Sequence, residues 1–180
     1  DIGCGGGILA EGLTHHGALV TAIDMAEASL SVAKLHQLES NLEIDYRFCS
    51  AEDLAVEKPE SYDVITCLEM LEHVPDPNSI VRSCFELVKP GGTVFFSTIN
   101  RNPKSYLFAI LGAEYVLNLL PKGTHEYAKF IRPSELASWC RKSGLELKEQ
   151  IGMGYNPLTK RYFLQDNLDV NYIAHYQKPE

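Results

Sequence analysis

The opening stretch Asp1-Ile2-Gly3-Cys4-Gly5-Gly6-Gly7 sets glycines at alternate positions directly ahead of a helix-forming segment. Glycine reaches backbone conformations that side chains disfavour and lets a ligand lie close against the main chain. A glycine turn between strand and helix belongs to doubly wound α/β sheets, whose ligands sit at the carboxyl ends of the strands, near the point where strand order reverses. Asp24, 21 residues beyond Gly3, closes the next apolar run, Leu19–Ile23. A carboxylate at that place suits the two hydroxyls of a ribose, so the pattern constrains both fold and ligand: an adenosine cofactor on a parallel sheet.

The rest of the chain agrees with that architecture. A helix is predicted from about Gly7 to His16, closed by Gly17, and a buried strand over Leu19–Ile23. Ala28, Val32 and Leu35 fall at helical spacing, whereas Leu42, Ile44, Tyr46 and Phe48 alternate with Glu43, Asp45 and Arg47 as in a strand. Tyr62–Cys67 reads as a strand. Val81, Cys84, Phe85 and Val88 read as a helix ahead of a turn at Lys89–Gly92, and Thr93–Thr98 as another strand. Alternation at this pace means βαβ units and a mostly parallel, doubly wound, Rossmann-like sheet. A helix at about Ser134–Ser143 precedes strands at Leu145–Ile151 and Val170–Tyr176 joined by a loop alone, so those two are expected to pair antiparallel. Residues 1–180 read as one domain carrying an apolar insertion or lid over 100–133, and a glycine turn as early as residue 3 implies a truncated first strand.

A net charge of -8 argues against nucleic acid as a partner, since phosphate binding needs a clustered basic surface. The five cysteines contain no CxxC pair and read as reduced, mostly buried thiols of a cytosol-like compartment.

Two cofactors compete for the glycine turn. A dinucleotide site wants G-x-G-x-x-G, but Ile8 stands where the third glycine belongs. The pattern D-x-G-x-G-x-G, through Asp1, Gly3, Gly5 and Gly7, fits throughout. A carboxylate at Asp1 would repel a pyrophosphate, whereas it suits the cationic amino-acid end of S-adenosylmethionine.

Asp1–Gly7, Asp24, Tyr62–Pro77 (YDVITCLEMLEHVPDP) and Leu87–Gly92 (LVKPGG) resemble the class I S-adenosylmethionine-dependent methyltransferases. Phe95–Tyr106, Pro121–Pro133, Gly154–Leu164 and Asp169–Lys178 narrow the resemblance to the O-methyltransferases of bacterial ubiquinone biosynthesis. The resemblance implies Gly3 at the methionine part of the cofactor, Asp24 at the ribose, Leu68 at the reacting end, and Ser50, Ala51 and Glu52 at the edge of the adenine. It further implies methyl transfer to a phenolic oxygen of a catechol-type ring bearing a polyprenyl tail. A cytoplasmic enzyme peripheral to the inner membrane, in the company of a quinone-biosynthesis complex, goes with that substrate.

A phenol resembles tyrosine, with a pKa of about 10, so a site acting on it should supply a cation or a base. Glu69, Glu72 and His73 fall at i, i+3 and i+4, one face of a helical turn, and two carboxylates with an imidazole suit a divalent metal. The resemblance to magnesium-dependent members of the quinone branch points to Mg²⁺. The same string also shapes a cofactor pocket without metal in many class I methyltransferases, and spacing leaves both readings open. His73 and His125 are the candidate bases.

The run Ser105–Leu120 carries Glu114 as its single charge. It is shorter than the roughly 20 residues that span a bilayer and too apolar to lie bare in water. It reads either as a buried lid or dimer contact, or as a helix seated on the membrane surface, with Lys104 and Lys122 beside it. Two rival readings of the whole are a non-catalytic cofactor-binding scaffold protein and a dinucleotide-dependent oxidoreductase.

Overall fold

The computed structural model describes residues 1–103, 127–156 and 159–180. In chain order the elements are α1 (Ile8–His15), β1 (Thr21–Asp24), α2 (Glu27–Ser40), β2 (Asp45–Phe48), α3 (Ala51–Glu57), β3 (Tyr62–Leu68), a 3-10 turn (Leu71–His73), α4 (Pro77–Leu87), β4 (Val88–Ile99), a second 3-10 turn (Tyr127–Lys129), α5 (Pro133–Ser143), β5 (Glu146–Asn156), β6 (Arg161–Gln165) and β7 (Asn171–Gln177). Local chemistry sets several of these boundaries. Ser50 caps α3 by accepting from the Asp53 N–H, and Asp76 caps α4 by accepting from Asn78 and Ser79, with Pro77 in the first turn. Gly144, at φ 99°, stops α5.

β1 and β2 pair in parallel, and β3, β4, β7, β5 and β6 form the rest in that spatial order. β3 and β4 are parallel, and the three strands beyond are antiparallel to their neighbours. The segment Asp1–Gly3 occupies the place between β1 and β3. Ile23 donates to the Asp1 carbonyl (2.9 Å), Gly3 donates back to Ile23 (2.9 Å), and Ile2 donates to Thr66 on the other side (2.8 Å). The doubly wound sheet expected from the sequence is therefore present, with an antiparallel end.

Successive residues of β1 serve opposite faces, as a pleated strand requires. Ile23 joins the larger core with Leu54 of α3, Val81 and Cys84 of α4, and Leu136 of α5. Ala22 joins a smaller core with Ala10 of α1, Leu30 and Ala33 of α2, and Tyr46 of β2. All five cysteines are free thiols, four of them buried.

Four details differ from expectation. Leu19 is fully exposed and β1 starts two residues later, at Thr21. α2 buries Leu30 and Ala33 rather than Val32 and Leu35, because the smaller core sits on the face one residue round the helix. Lys89–Gly92 is no separate turn: it is a bulge within β4, where the register jumps from Tyr62 opposite Val88 to Val64 opposite Thr93. The segment between the last two predicted strands holds β6, which pairs antiparallel with β5.

Gly7 caps α1 at φ 83°, and a Cβ there would run into the Tyr46 hydroxyl and lie 3.1 Å from Ala33 Cβ. The left-handed conformation alone costs an L side chain about 1–2 kcal/mol. Gly7→Ala is expected to lower the melting temperature by at least about 4 °C, measured by thermal unfolding.

Candidate functional site

A cleft of about 690 Å³ opens where the parallel strands end. Its walls are Gly3 after the first segment, Asp24–Ala26 after β1, Cys49–Glu52 after β2, and Glu69 to Ile80 around the first 3-10 turn. This is the carboxyl edge of the sheet on both sides of the Asp1–Gly3 segment, the position expected for a ligand in a doubly wound fold.

Asp24 organises the floor. Its Oδ2 accepts from the Gly5 N–H at 2.8 Å and its Oδ1 accepts from the Ala26 N–H at 2.7 Å. One side chain thus holds the glycine turn to the start of α2. A carboxylate has about four acceptor positions, so two remain for hydroxyls of a ligand. Gly5 supports Asp24 and does not itself line the cleft. Gly3 does line it, at φ 73°, and a Cβ there would lie 2.5 Å from Met70 Cγ. The glycine therefore keeps the backbone bare at the cleft wall and makes room for Met70 behind it.

Asp1 and Leu68 depart from their expected places. The Asp1 carboxylate accepts from the Thr66 hydroxyl at 2.8 Å, tied to β3, and is not part of the cleft wall. Leu68 is half-buried at the end of β3, also off the wall. Glu69 takes a left-handed backbone, φ 52°, and turns the chain so that Glu69 and Met70 face the cleft instead. Glu52 lies on the opposite wall, its Oε1 accepting from Ser79 Oγ at 2.8 Å and linking α3 to α4. Met25, Cys49 and Met70 also line the cleft and were not singled out from the sequence; Met25 and Cys49 directly follow a strand end and Met70 stands two residues past one, which is the signal that could have found them.

Glu69, Glu72 and His73 do not assemble as the predicted trio. Among the described residues no three His, Cys, Asp or Glu side chains are grouped to hold a metal ion. The helical spacing assumed for them fails physically, since the left-handed Glu69 lies outside the 3-10 turn that begins at Leu71. Glu69 accepts from Ser97 Oγ and from Asn171 Nδ2. Glu72 points the other way, into the interior, with its Oε2 accepting from Thr98 Oγ1 at 2.8 Å and its Oε1 buried without a protein partner. His73 is exposed on the cleft wall. These residues do not fit the Mg²⁺ site expected of them. His125 and the apolar run Ser105–Leu120 lie outside the described residues.

Residues 1–150 match the family described as "Methyltransferase domain". The ubiquinone biosynthesis O-methyltransferase of Stutzerimonas stutzeri is 67% identical over 174 residues, 97% of this chain and 75% of that one. The protein of the same name from Pseudomonas putida is 63% identical over all 180 residues, covering 78% of it. Among solved structures, an S-adenosylmethionine-dependent methyltransferase from Methanosarcina mazei superposes with a TM-score of 0.73 at 22% identity, covering 99% of this chain and 91% of that one. Magnesium protoporphyrin IX methyltransferase from Synechocystis with bound S-adenosylhomocysteine gives 0.70 at 17% identity, covering 99% and 72%. At those identities the structural likeness concerns the fold.

Burial, followed by the charge of Glu69, pushes the Glu72 carboxyl up from 4.5 to about 7. Below pH 4.5 the folded and unfolded chains both carry this proton; between pH 4.5 and 7 the unfolded chain releases it and the folded chain keeps it. Stability from this group is therefore full at acid pH and lost as pH rises through about 7, a difference of about 3 kcal/mol. Glu72→Gln is expected to melt about 6–12 °C above the parent at pH 8, with the gap closing toward pH 4.5, measured by calorimetry across that range.

Proposed function

The chain belongs to the methyltransferase-domain family and is an S-adenosylmethionine-dependent methyltransferase, and from that premise we propose that it methylates phenolic hydroxyls of polyprenylated catechol-type intermediates in ubiquinone biosynthesis. The observation that carries the cofactor's place is the cleft at the strand ends with the Asp24 carboxylate on its floor. The relatives at 63–67% identity carry the substrate class.

S-adenosylmethionine supplies an electrophilic methyl: the bond to sulfur breaks as the bond to the phenolic oxygen forms, the phenolic proton goes to a base, and S-adenosylhomocysteine leaves. The chain's own contribution is alignment and proton removal. Asp24 receives the ribose hydroxyls on the acceptor positions left free by Gly5 and Ala26. Gly3 presents bare backbone to the methionine part, and Ser50, Ala51 and Glu52 wall the adenine. In this reading the phenol lies against the wall after β3, which carries Glu69 and His73. The His73 imidazole is the proton acceptor, since a neutral imidazole serves that role near physiological pH.

The proposal includes a membrane surface, where a polyprenyl tail resides. No helix among the described residues is long and apolar enough to cross a membrane. The run Ser105–Leu120, apolar but for Glu114 and with Lys104 and Lys122 beside it, has the composition of a segment that rests on anionic headgroups.

Calorimetric titration should give S-adenosylhomocysteine binding and none of NAD⁺, and Asp24→Ala should weaken the former about 100-fold, the worth of charge-assisted hydrogen bonds lost together. Absence of binding by the parent protein would overturn the reading. Methyl transfer to a prenylated catechol, assayed with and without Mg²⁺, tests the substrate; activation by Mg²⁺ that Glu69→Ala abolishes would restore Glu69 as a ligand. Deletion of Ser105–Leu120 should abolish co-flotation with anionic liposomes while S-adenosylhomocysteine affinity stays within about 2-fold; unchanged flotation would sink the membrane reading.

A further inference from the structure

Glu69 is exposed on the cleft wall, yet it is held from three directions. Its backbone N–H donates to both the carbonyl and the hydroxyl oxygen of Ser97, each at 3.1 Å. The Ser97 hydroxyl donates to Glu69 Oε1 at 2.5 Å. The Asn171 amide donates from one nitrogen to both carboxylate oxygens, at 3.0 Å to Oε1 and 3.0 Å to Oε2. A donor equidistant from both oxygens lies on the plane that bisects the carboxylate, and with the Ser97 hydroxyl on Oε1 it restrains the group from two sides.

The holders are themselves rigid. Ser97 lies in β4 between β3 and β7, opposite Leu68 and Ile173. Asn171 opens β7 between β4 and β5, opposite Ile99 and Met153. Glu69 also takes a left-handed backbone, a conformation that persists in a side-chain-bearing residue only where the surroundings impose it. An exposed glutamate on ordinary surface keeps its rotamer freedom, and surrendering it is unfavourable. Here the freedom is removed at a cleft wall by a residue 102 positions away in sequence.

We propose that Asn171 is a positioning residue for methyl transfer: with Ser97 it holds the Glu69 carboxylate so that the acceptor position left on Oε2 receives one hydroxyl of the catechol, and thereby selects the neighbouring hydroxyl for methylation. The inference rests on the catechol O-methyltransferase reading and deepens it. A carboxylate accepting from one hydroxyl leaves the adjacent oxygen, a fixed distance away on the ring, to face the methyl donor. A carboxylate free to rotate would accept from either.

The test uses the whole protein with Asn171→Leu, Asn171→Ser, Glu69→Gln and the double variants. With a prenylated catechol, each Asn171 variant is expected to lose about 10- to 100-fold in kcat, the cost of slight misplacement at a reacting centre, and to yield a mixed ratio of the two methyl ethers. S-adenosylhomocysteine affinity should stay within about 2-fold, which marks a folded cofactor site. In the Glu69→Gln background the Asn171 substitutions should add little, the non-additivity of residues acting as a unit. An unchanged kcat and ether ratio, or full additivity, overturns the proposal. Failure of the parent protein to methylate the catechol at all defeats the substrate reading instead. In that case the ¹³C resonance of the Glu69 carboxyl, recorded without substrate, decides the clamp: it should move in the Asn171 variants, and an unmoved resonance overturns it.

Discussion

The whole molecule hangs on the hydrogen bonds made by its first three residues. Asp1 and Gly3 exchange bonds with Ile23 on one side, and Ile2 donates to Thr66 on the other. These bonds join the β1–β2 pair to the five-stranded part of the sheet. They also set the ends of β1 and β3 on either side of the glycine turn, so that Asp24, Gly3 and Glu69 border the same cleft. A carboxylate and a glycine turn border one cleft only if their spacing in three dimensions is held, and main-chain bonds inside a sheet hold it more rigidly than a loop could.

Beneath the cleft runs a polar layer in an otherwise apolar interior. Glu72, Thr98 and Ser97 are buried: Thr98 of β4 donates to Glu72 of the 3-10 turn, and Ser97 of β4 donates to Glu69, to which Asn171 of β7 also donates. Buried polar groups persist where they are hydrogen-bonded. Two acceptors in this layer, Glu72 Oε1 and Asn171 Oδ1, have no partner within the protein. Burial, followed by the nearby Glu69 charge, raises the affinity of Glu72 for a proton.

The architecture was legible because strand and helix periodicities differ and because capping residues mark boundaries. The antiparallel pairing of β5 with β7 followed from the lack of a helix between them. Asp24 was legible as a cleft residue from one carboxylate set 21 residues after a glycine turn. Face assignments were less so: α2 has apolar residues on more than one side, and only the position of β1 and β2 decides that Leu30 and Ala33 go inward while Val32 and Leu35 stay in solvent. β6, at Arg161–Gln165, is a five-residue run whose identity comes from pairing with β5 rather than from its own pattern.

By itself, the sequence determined the doubly wound α/β plan, the glycine turn with its acid partner, and the family to which the chain belongs, because each of these is written in local spacing. The fate of individual side chains at the cleft was decided in three dimensions. Glu69, Glu72 and His73 are near neighbours along the chain and share a face only on a regular helix. A single left-handed residue at Glu69 sends one carboxylate to Ser97 and Asn171 and leaves the other to be buried against Thr98. The partners that impose this come from β4 and β7, 26 to 102 residues away, and a contact across that separation has no period for a sequence to display.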